Sequence, residues 1–250
     1  MSKQFEQAYK DRTYENAGVP ELVALVDPRF RRVLDVGCGT GANMRMLAAK
    51  GHQVTGLTLS VAEALHVKAH GYDCVACDLN DGSLPFEDEA FDALVLSHVL
   101  EHMPWPETVL SACLRVVRRG GGVYVALPNA LKCSQRCQFL LGRFRYTDIG
   151  PLDRTHLRFF DFQTARSLIE ATGLRVKEHF GVGNFPVGPL RSLISVRITS
   201  GLDRFASRHW PGMFAFHIVL AAVHERSHTI QGRSWEQGHY PPDLTTSLNQ

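Results

Sequence analysis

Residues 33–41 read Val33-Leu34-Asp35-Val36-Gly37-Cys38-Gly39-Thr40-Gly41. A short apolar run carrying one acid leads into glycines at alternate positions. Such a run reads as a buried parallel strand that ends in a turn where no side chain can stand. Met44, Leu47 and Ala48 then recur at helical spacing over Ala42–Lys50. A bare backbone lets a flat polar ligand approach closely, and the helix that follows presents free N–H groups at its start. The stretch therefore predicts a nucleotide-type site at the carboxyl end of a strand. The Gly37-x-Gly39-x-x-Ala42 spacing also fits a dinucleotide fingerprint. Asp35 argues against it, because an acid beside the turn repels a pyrophosphate and suits a ligand with an amino group and ribose hydroxyls.

The rest of the chain supports an α/β domain. Short apolar segments at Gln53–Leu57, Asp73–Cys77, Phe91–Ser97 and Val123–Leu127 read as strands two to five. Between them, a Ser60-capped segment to about His70 and an amphipathic stretch over Glu107–Arg119 read as helices, the latter broken by Gly120-Gly121-Gly122. Strands alternating with helices make a parallel sheet with right-handed crossovers. Ligands bind outside the carboxyl ends of such strands, at the point where strand order reverses. Pro20 starts a short helix through Val26, and Asp161 caps another through Ala171. Leu174–Phe180 and Phe214–Val223 read as strands six and seven. The chain divides into a helical arm over residues 1–30, a domain over 31–226 with insertions near 131–160 and 181–212, and a polar tail over 227–250 that reads as disordered.

Bulk properties exclude several classes. The chain has 250 residues, 44% of them hydrophobic, and a formal net charge of +2, too mild to predict nucleic-acid binding. No apolar run reaches membrane-spanning length, and Met1–Glu6 is polar, so the expectation is a cytoplasmic protein. Cys74 and Cys77 in a strand point to opposite faces, and Cys133 with Cys137 makes at most half a metal site, so no metal centre is expected.

The glycine turn and the order of elements resemble the class I S-adenosylmethionine-dependent methyltransferases over roughly Val33–Val223. The resemblance implies a Rossmann-like, doubly wound sheet of seven strands, mostly parallel with an antiparallel last strand, and helical insertions after strands five and six. It implies S-adenosyl-L-methionine as cofactor, held by Asp35, Gly37, Cys38, Gly39 and Gly41. The family places an acid for the ribose at the end of strand two. Thr58 stands there, followed by Leu59, and a hydroxyl cannot reproduce a bidentate carboxylate. Asp78 would accept from the adenine amino group, with Leu79 against the ring. Ser97 and His98 would meet the cofactor's methionine end.

The acceptor side is read from two histidines and an acid. Methyl transfer is an in-line displacement helped by positioning, and a hydroxyl acceptor must also lose its proton. His102 is the leading base. Asp153 and His156 lie in the charged, aromatic stretch Leu152–Phe160, which resembles a segment of bacterial glycan and natural-product methyltransferases. They are expected over the site mouth as acceptor ligands or an alternative base. Asn129 and Tyr146 are weaker candidates for the pocket wall. Leu190, Ile194, Ile198, Leu202 and Phe205 repeat at helical spacing among Arg191, Arg197, Arg204 and Arg208. They form either a lid, the favoured reading, or a basic amphipathic surface over 190–209 that meets a membrane or a lipid-linked acceptor. The expected activity is methylation, chiefly at oxygen, of a small-molecule, sugar-linked or lipid-linked acceptor. The competing readings are a nicotinamide-dependent oxidoreductase on the same glycines and a non-catalytic subunit that keeps the fold.

Overall fold

The computed structural model describes residues 17–183 and 195–225. The expectations for residues 1–16, for Leu190, Arg191 and Ile194, and for the 227–250 tail lie outside the described residues. Seven strands form one sheet: β1 (Arg32–Val36), β2 (Gln53–Thr58), β3 (Asp73–Ala76), β4 (Phe91–Ser97), β5 (Val117–Pro128), β6 (Arg175–Gly183) and β7 (Ala215–Val223). Their order is β3-β2-β1-β4-β5-β7-β6, and β7 runs antiparallel to both of its neighbours while the other six strands are parallel. The order reverses between β1 and β4, so the ends of those two strands mark the crevice where a ligand is expected.

Both faces of the sheet are covered, which explains why β1 and β4 read as continuous apolar runs. Helices α1 (Pro20–Leu25), α2 (Ala42–Ala49) and α3 (Val61–Ala69) cover one face. There Leu22, Val23, Met44, Leu47 and Val67 pack on Val33, Val95 and Val219. Helices α4 (Pro106–Arg115) and α6 (Phe162–Ala171) cover the other, packing Leu110, Leu114, Leu168 and Ile169 on Leu34, Leu94 and Leu96. Alternation along β1 puts Asp35 on the same face as Val33. The insertion after β5 holds α5 (Cys133–Leu140) and a long loop. The one after β6 holds α7 (Val196–His209), followed by the single turn α8 (Pro211–Phe214).

The triple glycine is a correction to the sequence reading. Helix α4 ends at Arg115, and Gly120–Gly122 lie inside β5 rather than between a helix and a strand. The pairing with β4 slips from Phe91↔Val117 to Ala93↔Gly122, so the glycines form a bulge. Gly120 has φ 78, and its N–H donates to the His224 carbonyl at 2.7 Å. A Cβ on Gly121 would stand 2.6 Å from the Asp92 carbonyl oxygen. The residues are glycines because two strands close on them, not because a helix stops there.

Helix α7 also departs from the favoured lid. It packs beside β6 and α8 and buries Thr199, Ala206 and Ser207, while Ile198, Leu202 and Phe205 stay exposed. The apolar stripe therefore faces away from the domain. No helix among the described residues is long and apolar enough to cross a membrane.

Helix starts follow their caps. Ser60 Oγ accepts from the Glu63 amide at 3.3 Å. Asp161 accepts from the Thr164 amide at 2.8 Å, and Thr164 Oγ1 in turn accepts from the Asp161 amide at 2.9 Å, a full capping box. Asp161→Ala removes the side-chain acceptor of the Thr164 amide while keeping the backbone N–H that donates to Thr164 Oγ1, and is expected to cost about 1 kcal/mol, read as a lower urea midpoint at unchanged slope.

Candidate functional site

The turn after β1 has the backbone the glycine spacing requires. Gly37, Gly39 and Gly41 have φ of 70, 53 and 84, a region that side chains disfavour. The Gly37 and Cys38 amides donate to the Leu57 carbonyl at 2.7 and 3.0 Å, pinning the turn to β2. A Cβ on Gly37 would lie 2.4 Å from Val99 Cγ2. The Cys38 thiol points into the fold, 3.6 Å from the Cys74 thiol, so only its backbone remains for a ligand.

Asp35 is fully buried, and neither of its carboxylate oxygens has a hydrogen-bond partner. Burial pushes its pKa up to about 8. A buried acid with unmet acceptors at the head of a side-chain-free turn has the chemistry to meet a positively charged ligand group.

At the end of β2, Thr58 is buried and its hydroxyl donates to the Glu63 carboxylate. Glu63 itself is 3% exposed. The sequence reading missed this acid, although the Ser60-x-x-Glu63 spacing was there to find it. That spacing reads as a helix start, and only the structure shows the side chain turned back to the strand end where the family's acid is absent. Asp78 lies beyond β3 and accepts from the Asn80 amide at 2.9 Å, capping the short 3-10 turn Leu79–Asp81. Leu59, Asp78 and Leu79 are half-buried along the same edge.

The end of β4 carries the densest chemistry. Ser97 pairs with Ala126 of β5, and His98 follows with φ 57, unusual for a residue with a side chain. His98 Nδ1 lies 3.0 Å from Glu101 Oε1, and its Nε2 is buried without a partner. Glu101 is 0% exposed. Burial acts to raise its pKa, but the hydrogen bond and charge of His98, with help from His102, outweigh this and lower it. His217 of β7 stacks edge-on with His98 at 4.7 Å, and burial holds its pKa down at about 4.

His102 lies in the 3-10 turn Leu100–His102, its Nδ1 3.2 Å from the Thr155 carbonyl oxygen. Burial lowers its pKa. The loop 152–160 is brought over this strand end, as expected. The Leu157 and Arg158 amides both donate to the Glu101 carbonyl, at 2.8 and 3.0 Å. His156 is buried, its Nδ1 3.1 Å from the Pro151 carbonyl oxygen and its ring 4.8 Å from that of His102. So His102 and His156 do come together. Asp153 stands nearby, with Oδ1 accepting from the Thr155 amide and hydroxyl at 2.8 and 2.6 Å, which makes it the holder of the loop's turn. Arg154 pairs with Asp148, not Asp153. Asn129 is buried as a tie between β5 and the start of β7, donating to the Ala215 carbonyl at 3.0 Å, and Tyr146 is exposed.

The chain matches the methyltransferase domain family model over residues 34–125. It is 40% identical over 172 residues to a ubiquinone biosynthesis O-methyltransferase of Chromobacterium violaceum, covering 65% of this chain and 72% of that one. A ubiquinone biosynthesis O-methyltransferase of Pseudomonas entomophila is 37% identical over 120 residues, 44% of this chain and about half (51%) of that one. Among solved structures, a SAM-dependent methyltransferase from Archaeoglobus fulgidus superposes with a TM-score of 0.58 at 19% identity, over 88% of this chain and 98% of that one, a likeness of fold.

The buried acid makes a measurable contribution to pH dependence. The folded-state pKa of Asp35 is raised above its unfolded value, from 3.8 to about 8. Its contribution to stability is therefore full below the unfolded value and lost as pH rises through about 8. Chemical denaturation of the ligand-free protein is expected to show Asp35→Asn gaining on the wild type steadily between those limits. A pH-independent difference would refute the assignment.

Proposed function

Because the chain belongs to the S-adenosylmethionine-dependent methyltransferases, we propose that it methylates a hydroxyl oxygen of a small or lipid-linked acceptor, using a site split between the glycine turn and the end of β4. The observation that carries this reading is the pair of unmet Asp35 oxygens beside a turn that a Cβ would fill. They fit the ammonium of the cofactor's methionine portion. S-adenosylmethionine, when bound, supplies an electrophilic methyl group on a sulfonium.

The chain's own residues do the rest. Asp35 holds the ammonium, and the Gly37–Gly41 backbone lets the methionine portion lie close. Glu63, braced by Thr58, takes the ribose hydroxyls in place of the acid missing from the strand end. Asp78 and Leu79 meet the adenine, and Ser97 flanks the methionine end. His98 takes the acceptor's proton on Nε2, since Glu101 engages Nδ1 and leaves that nitrogen without a partner. In this role His98 replaces His102 as leading base, and Asp153 orders the loop that covers the site. The hydroxyl acceptor is supported by the Chromobacterium relative's printed activity. The exposed Ile198, Leu202 and Phe205 beside Arg197, Arg204 and Arg208 support an acceptor carried on a lipid or presented at a membrane surface.

Calorimetry with S-adenosylhomocysteine tests the cofactor half. Binding at pH 6.5 is expected to ionise Asp35 and release close to one proton, measured across buffers of different ionisation enthalpy. The release fades above about pH 8 and is absent in Asp35→Asn. Glu63→Ala is expected to weaken binding about tenfold, the loss of one charged hydrogen bond. Absence of binding at millimolar ligand would end the reading. His98→Asn is expected to keep the wild-type affinity and lose turnover by a factor of about 100 or more; undiminished turnover would remove it as the base.

A further inference from the structure

We propose that Glu101, His102 and His156 form a site for a divalent transition-metal cation beside the methyl-transfer centre. One ligand atom from each of the three lies within 4.8 Å of the other two. Glu101 is wholly buried, and its Oε2 has no partner. Its other oxygen is committed to His98. A buried carboxylate oxygen without a donor is costly unless something positive meets it.

The two imidazoles are set as metal ligands usually are. His102 Nδ1 faces the Thr155 carbonyl and His156 Nδ1 faces the Pro151 carbonyl. A ring that donates Nδ1–H to a backbone carbonyl is fixed in the tautomer whose Nε2 carries a lone pair, and such an outer bond orients and strengthens a ligating histidine. The three residues come from two segments, and the Glu101 carbonyl ties those segments together by accepting from the Leu157 and Arg158 amides. The ligands are thus held before any ion arrives.

Two imidazoles and one carboxylate form the donor set of catalytic zinc sites that keep one position open, and suit first-row divalent ions over magnesium or calcium. Tetrahedral ligands at zinc distances stand about 3.4 Å apart, so the widest pair must close by roughly 1.4 Å. No sequence spacing announces the site, because Glu101 and His102 are adjacent and His156 is far along the chain. Resting on the methyl-transfer reading, the open position would take the acceptor's oxygen. Coordination lowers the pKa of that hydroxyl, and His98 removes its proton. The O–CH3 bond then forms as the S–CH3 bond breaks, leaving S-adenosylhomocysteine as the leaving group.

The test needs no acceptor. The full chain, made without a polyhistidine tag and carrying Cys133→Ser and Cys137→Ser to remove thiols on α5, is titrated with Co2+ and with Zn2+. The expected result is one tightly held equivalent, visible Co2+ bands of a low-coordinate site, and no thiolate charge-transfer band. His156→Ala and Glu101→Gln are each expected to weaken binding by at least about tenfold. His156 lies on a loop, so that variant remains informative if the buried Glu101→Gln fails to fold. S-adenosylhomocysteine affinity measured on His156→Ala separates the two readings: retained cofactor binding with lost metal binding supports the site. Metal affinity unchanged in His156→Ala, a thiolate band, or the absence of stoichiometric binding in the parent protein overturns the proposal and leaves the methyl-transfer reading standing. Loss of cofactor binding in the parent would overturn that reading alone.

Discussion

A carboxylate sealed from water with nothing to accept from is the constraint around which this protein is arranged. Asp35 is the penultimate residue of β1, on the face covered by α1, α2 and α3, fully buried and with neither oxygen hydrogen-bonded. Desolvation of that group is expensive. The fold tolerates it because burial raises its pKa to about 8, so that the group keeps its proton near neutral pH; in the proposed function, a positive ligand is what ionises it. In the proposed function the glycines and the acid are one device: a turn without side chains lets the cation reach the charge.

The switch point of the sheet then divides the work. Strand β2 and the first turn of α3 hold the Thr58–Glu63 pair, while the segment after β4 and the loop after β5 hold His98, Glu101, His102 and His156, with His217 of β7 beside them. In the proposed function, the edge assigned to the cofactor is made of backbone and buried acids on regular elements. The edge assigned to the acceptor is made of imidazoles, one with an unusual backbone conformation at His98. Strain of that kind persists where the surroundings enforce it, and here Glu101 does so from three residues away. The same carboxylate engages His98 and lies within 4.8 Å of a ring nitrogen of both His102 and His156, so in the proposed chemistry a single buried group touches both halves of the acceptor side.

What could be read in advance follows from how local each signal is. The glycine turn, β4 and the Asp161 cap depend on a handful of adjacent residues, and all stand where the sequence places them. The end of α4 was misplaced because three glycines usually stop a helix, whereas here the cause is the approach of the Asp92 carbonyl and the end of β7, both distant in sequence. Thr58 was legible as a departure from the family, but the turn of the Glu63 side chain back to Thr58 was not. That acid occupies a position that ordinarily serves only a helix cap. The cluster of Glu101 with His102 and His156 needed the fold itself, since 54 residues separate the two histidines. The amphipathic stripe over 190–209 left two directions open, a favoured lid and an exposed surface, because periodicity shows that a face exists and not what lies against it; its described part, Ile198, Leu202 and Phe205, is exposed.

The insertion after β5 is pinched shut at its base. Asn129 pairs with Phe160, and the Ala130 amide donates to the Phe160 carbonyl at 2.8 Å. Chain leaving the sheet at one point thus returns to the same point, and the intervening thirty or so residues close on themselves. Evolution can exchange, lengthen or trim that excursion without disturbing strand register or the donor pocket. Diversification of what such an enzyme accepts is thereby uncoupled from the inheritance of how it is powered, and grafting between homologues at the Asn129–Phe160 neck is the natural unit of retargeting.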